Sequence, residues 1–117
     1  MLITVLNVLL VVCLAANIAI VVADLLPAKF VLENSDEVGL SRSVLPLLAA
    51  LKAAGALGLV VGLLWLPWVG LVAATGLVLF YVGAVWRHVS QRVLHNIAFP
   101  LAYLTLAVAA AARFTLG

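Results

Sequence analysis

No acidic or basic side chain interrupts residues 1–23, and none interrupts residues 53–86. A membrane-spanning helix needs about 20 mostly apolar residues, so the first run makes one complete span. At 1.5 Å per residue the second run would form a helix about 51 Å long, far more than a hydrocarbon core of about 30 Å can hold. It must turn back on itself. Pro67 marks the place, because proline lacks the N–H that a helix interior needs, and the flanking Trp65 and Trp68 are the residue type that membrane interfaces attract.

The remaining spans follow from the same length constraint. Starting after Lys52, the second helix would be too short to cross, so it begins near Val44, with Ser41 or Ser43 as cap and Pro46 in its first turn. Lys52 then lies inside the membrane. The expected spans are 2–23, 44–66, 68–86 and 96–113, forming a single domain, an all-α membrane bundle of four helices. Pro100 near the start of the last span is tolerable there or bends it modestly. The 24–43 segment carries six of the ten charges, with Phe30, Val31 and Leu32 among them, and is expected to lie on the membrane surface, partly helical.

Composition agrees with a lipid-solvated chain and excludes several classes. Hydrophobic residues make up 68% and charged residues 9%, and mean hydropathy is +1.40, which rules out a soluble globule and a disordered chain. A net charge of +2, scattered along the chain, is no footprint for nucleic acid. The single cysteine, Cys13, excludes an internal disulfide and any CxxC motif, and reads as a small apolar filler. A secretory signal ending at Val21, Val22 and Ala23 is the rival reading of the first run. That run has no preceding basic residue and is too long for such a signal, so it is read as a membrane helix.

Small residues are dense in the second and third spans, including Ala49, Ala53, Gly55, Gly58 and Gly62, then Gly70, Ala73, Ala74 and Gly76. Lipid tails are as apolar as leucine, so membrane helices associate through close backbone approach, which such residues allow. The Gly58/Gly62 pair is expected to serve packing within the chain rather than a dimer face.

One polar constellation stands out. Asn17, Lys52, Tyr81 and Tyr103, one from each span, all fall about 9 to 12 Å below the membrane surface on the side of the two polar loops. Residues seven apart on a helix share a face, which aligns Asn17 with Asp24, Tyr81 with His88 and Tyr103 with Asn96. A charge inside a span is costly unless partnered, so Lys52 is expected to face the bundle interior, held by Tyr81, Tyr103 or Asn17, with Asp24 in reach only if the lysine extends toward the surface. The competing reading has Lys52 snorkelling to the headgroups and both tyrosines seeking the interface. His88 and His95 flank the loop between the third and fourth spans. Haem ligation by this pair is disfavoured in the absence of any attachment motif, and interfacial hydrogen bonding is the expected role. No residue set suited to binding a metal and no catalytic constellation is apparent, so the chain is not expected to act as an enzyme by itself.

The stretches Leu51-Lys52-Ala53-Ala54-Gly55-Ala56-Leu57-Gly58-Leu59, Gly83-Ala84-Val85-Trp86-Arg87-His88 and Asn96-Ile97-Ala98-Phe99-Pro100 resemble the DoxX-like family of small four-helix bacterial membrane proteins. The resemblance spans nearly the whole chain and is strongest over 46–100. It implies a multi-pass protein of a bacterial inner membrane, without an assigned catalytic residue. Together with the polar constellation, it gives the expectation of a small accessory or ligand-binding subunit that contacts a quinone or lipid through Lys52, Asn17, Tyr81, Tyr103, His88, Asp24 and Asn96. The lipid bilayer and a membrane-protein partner are its expected surroundings. Two alternatives stand beside it: a subunit of a quinone-linked membrane oxidoreductase, whose electrons a partner must supply, and an assembly factor or chaperone, which needs only exposed small-residue faces.

Overall fold

The computed structural model describes residues 1–26 and 28–117, so position 27 of the expected 24–43 loop lies outside the described residues. Among the described residues five helices follow in order: α1 (Leu2–Leu25), α2 (Lys29–Glu37), α3 (Leu45–Leu64), α4 (Pro67–Ser90) and α5 (Ala98–Leu116), with a short 3-10 turn, Arg42–Val44, leading into α3. All but α2 are long and apolar enough to cross a membrane. The molecule measures 39 × 24 × 18 Å, and its long axis matches the roughly 36 Å expected of a 24-residue helix.

The helix ends follow from local chemistry. Ser41 accepts a hydrogen bond from the backbone N–H of Ser43 and caps the 3-10 turn, and Pro46 occupies the first turn of α3, where a missing N–H costs nothing. Trp65 and Leu66 alone make the reversal before Pro67, the first residue of α4. Leu66 is extended, as a residue before proline must be. At its other end α4 passes through Trp86, where the third span was expected to stop, and carries Arg87 and His88 on its last turns as far as Ser90. The fourth span likewise differs from expectation. It starts at Ala98 rather than Asn96, which places Pro100 in the first turn and leaves Asn96 in the preceding turn.

The four long helices form a ring in which α1 packs on α3 and α5, and α4 also packs on α3 and α5. Thus α1 and α4 face each other across a diagonal. Leu10, Cys13, Leu59, Ala74, Leu77, Tyr81, Ala107 and Ala110 form the shared core. Outward-facing Val8, Leu57, Val72, Leu79 and Val108 are exposed, which is how a helix meets lipid rather than water. Trp65 and Trp68 project at one end of the bundle and Trp86 near the other. Eighteen residues of α4 separate Trp68 from Trp86, a rise of about 27 Å, close to the thickness of a hydrocarbon core.

Toward the Trp65 end, helix contact is backbone to backbone. A Cβ added at Gly62 would lie 2.2 Å from Gly70 Cα, and one at Gly58 would lie 2.5 Å from Ala73 Cβ. The GxxxG pair is therefore used against α4 of the same chain.

A polar cavity under the loop-side helix

At the loop end, α2 lies over the bundle and is tied to it by three independent sets of contacts. Its buried face is formed by Val31 and Ser35, followed by Val38. Gly39, at a φ of 75°, ends the helix in the left-handed conformation, and Leu40 N–H closes back on the Ser35 carbonyl at 2.9 Å. Arg87 on α4 donates to the Val38 and Gly39 carbonyls at 2.6 and 2.9 Å, placing a cation at the negative end of α2. His95 meets Glu37 at 3.1 Å. His88 and Asn96 both converge on Asn34, as described below.

Beneath α2 is a cavity of about 150 Å³. Its apolar walls include Ile20, Phe30, Leu48 and Phe99, and its polar groups include Asp24, Lys52, Tyr81, Tyr103, His88 and Asn34. Lys52 forms an ion pair with Asp24 of the neighbouring helix α1, and the two side chains are only 9% and 4% exposed. The lysine therefore faces the interior and does not snorkel. Its ammonium also sits 5.6 Å from the centre of the Phe80 ring, a cation–π arrangement.

This pairing corrects the expected one. None of Tyr81, Tyr103 and Asn17 holds the lysine. Tyr81 reaches across the bundle diagonal and donates to Asn17 Oδ1, while Asn17 donates through Nδ2 to the Cys13 carbonyl at 2.8 Å. Tyr103 donates to the Ala16 carbonyl at 3.1 Å and stacks on Tyr81, with ring centroids 5.3 Å apart and planes 20° from parallel. Asp24 takes the lysine because α1 continues through it to Leu25 and the carboxylate, sharing the cavity wall with Val31, Asn34 and Ser35 of α2, is buried at the depth the lysine can reach.

The third polar group is a small cluster at the rim. His88 Nδ1 lies 2.9 Å from the Ala84 carbonyl, which can only accept, so Nδ1 carries a proton. Its Nε2 lies 3.1 Å from Asn34 Oδ1, and Asn96 Nδ2 donates to that same oxygen at 2.9 Å. The Nε2 contact is met by the Asn34 oxygen when that ring nitrogen carries the hydrogen, or by the Asn34 amide group turned over together with Asn96 when it does not.

Of the seven residues singled out in the sequence, Lys52, Asp24, Tyr81, Tyr103 and His88 line the cavity. Asn17 stands behind Tyr81 and Asn96 behind Asn34. The expected helical alignment of Asn96 with Tyr103 does not arise, because Asn96 precedes α5. Sequence reasoning missed Asn34 and Phe80. Asn34 was detectable as the polar neighbour of Val31, Ser35 and Val38 on one face of a short amphipathic helix. At the opposite end it also missed Asn7, which accepts a hydrogen bond from Arg113.

The architecture defines a multi-pass membrane protein: four apolar spans around a partly polar cavity, capped by a short surface helix. The chain belongs to the DoxX-like family, whose model matches residues 8–110. No curated protein and no solved structure matches it.

Proposed function

We propose that this protein is a small accessory subunit of a bacterial inner membrane that holds the ring of a quinone, or part of a lipid, in the loop-side cavity. The observation that carries this reading is the volume and lining of the cavity. About 150 Å³ is the size of an engineered protein cavity that accepts benzene, so one six-membered ring fills it. Aromatic and aliphatic walls supply its contact area, and Lys52, Tyr103 and His88 supply a few oriented polar groups, the usual composition of a small-molecule site. In a quinone-linked oxidoreductase the electrons would come from a partner subunit.

Native mass spectrometry of gently solubilised protein tests the reading. A quinone or lipid of defined mass should remain bound to the wild type and be lost from Lys52→Leu. Equal retention by both proteins, or retention of heterogeneous lipid only, would count against the cavity as its site.

A second reading, an assembly factor, draws on Gly76 and Gly83, where a Cβ would find no atom within 4 Å. Those open positions on α4 suit the close approach of another membrane helix. Co-purification of a stoichiometric membrane protein that is lost in Gly76→Leu would favour it.

For orientation, Lys29, Arg42, Arg87 and Arg92 lie on the loop side and Arg113 on the other, so the positive-inside rule puts α2 in the cytoplasm and both termini outside. Cysteine labelling checks this against a background in which native Cys13 is buried. A cysteine added after Gly117 should react with an impermeant reagent applied to cells, and one at Asp36 should not.

A further inference from the structure

We propose that the ligand of the loop-side cavity is a neutral hydroxylated amphiphile, a phenol or alcohol whose OH bridges Asp24 and Lys52. The inference rests on the cavity being a ligand site and narrows the occupants proposed above, the quinone to its reduced, hydroxylated form and the lipid to an uncharged hydroxylated one; it follows from the hydrogen-bonding capacity that the ion pair leaves unspent.

A lysine ammonium has three N–H donors, and an ionised carboxylate has about four acceptor positions. Among the described residues, Lys52 meets one oxygen of Asp24 and the face of Phe80, and neither side chain forms any further hydrogen bond. Both groups line the cavity, and both are more than nine-tenths buried. An unspent donor and an unspent acceptor therefore stand side by side at one wall of an otherwise largely apolar chamber. Leaving such groups unserved in a low-dielectric setting is costly, so the site selects a partner that serves both.

Charge narrows the class. Asp24 and Lys52 cancel, so a carboxylate, phosphate or ammonium headgroup would bring a net charge into a membrane-embedded site, at a penalty the pair cannot offset. Hydrogen-bond polarity narrows it again. A carbonyl or ether oxygen accepts from Lys52 but gives Asp24 nothing. A hydroxyl accepts from the ammonium and donates to the carboxylate with a single oxygen, and so completes both groups at once. Size sets the remainder: the 150 Å³ chamber takes one ring or an equivalent short hydrocarbon around that hydroxyl.

Para-cresol and para-xylene differ by hydroxyl against methyl at nearly constant volume, and so isolate the claim. Wild-type protein in phosphatidylcholine nanodiscs is titrated calorimetrically with each, with the signal of empty nanodiscs subtracted and affinities referred to the concentration partitioned into the bilayer. The expected result is binding of both, with cresol tighter by at least about tenfold, as a hydrogen bond to charged groups supplies. In the double variant Lys52→Leu/Asp24→Leu, which removes both charges together, xylene should still bind and the preference for cresol should vanish. Equal affinity of the two probes for the wild type, or a preference that survives in the double variant, would overturn the hydroxyl assignment and leave the cavity as an apolar ligand site. Binding of neither probe would overturn the cavity reading along with it.

Discussion

At the Trp65 end the helices close until backbone touches backbone, with Gly62 against Gly70 and the Phe114 ring filling the space beside them. At the loop end the same helices carry an ion pair, two stacked tyrosines and a histidine around open volume, and a separate helix must be added to cover them. One α3 surface serves both ends: Ala49, Lys52, Gly55, Ala56, Leu59 and Gly62 are all buried on it. In lipid there is little hydrophobic drive for helices to associate, so close packing at one end provides the cohesion that allows the other to remain imperfectly filled. The stable half and the candidate functional half thus occupy opposite leaflets.

Substitutions that break this contrast should rank in a definite order. The largest effect is expected from Lys52→Leu, which leaves Asp24 buried without its counter-charge and should cost about 3–5 kcal/mol of bundle stability in detergent unfolding. Replacing both members of the pair with leucine should restore most of that loss, since a well-packed apolar pair is commonly neutral or stabilising relative to a buried ion pair. If the double variant is as unstable as the single one, the pair is not the cause. Gly62→Ala comes next. The added methyl meets the Gly70 backbone, which cannot rotate away, and overpacking of this kind costs about 1–3 kcal/mol. Its control on the same helix pair is Gly76→Ala, where open space predicts a change within about 0.5 kcal/mol. Equal effects at Gly62 and Gly76 would remove the distinction between a tightly closed end and an open outer face.

A smaller loss is expected from Tyr81→Phe. It removes the hydrogen bond to Asn17 across the bundle diagonal while keeping the ring stacked on Tyr103, and interhelical hydrogen bonds in membranes average about 0.6 kcal/mol. Thermal unfolding in matched detergent checks it. A loss several times larger would mean that the diagonal contact, rather than glycine packing, holds the ring of helices together.

Much of this contrast was legible in the sequence. The uncharged runs define the spans, Pro67 fixes the reversal, and the 3.6-residue repeat assigns Lys52 to the same face as Gly55, Ala56, Leu59 and Gly62. The lysine's partner was not legible, for a physical reason. Counting depth inward from the loop-side end of each helix, which for α1 is Asp24, rests on the premise that a charged helix end meets water. Asp24 breaks that premise because it is buried in a cavity that α2 residues also line, and where a surface segment lands is decided by tertiary contacts such as Arg87 with the Val38 and Gly39 carbonyls. Asn96 misled for a local reason. Seven-residue spacing aligns Asn96 with Tyr103 only where one helix runs through both, whereas α5, with Pro100 in its first turn, starts at Ala98. The role of Asn34 likewise depends on where α2 lands.

The most direct test fills the cavity without touching its charges. Ala84 lines the chamber on α4, between Tyr81 and His88, and Ala84→Leu adds three carbons to that wall. If the loop-side half is a ligand site, this variant should fold with undiminished thermal stability, yet fail to retain in native mass spectrometry the ligand that the wild type is expected to retain. A stable Ala84→Leu protein that retains the same ligand at the same occupancy would contradict the account.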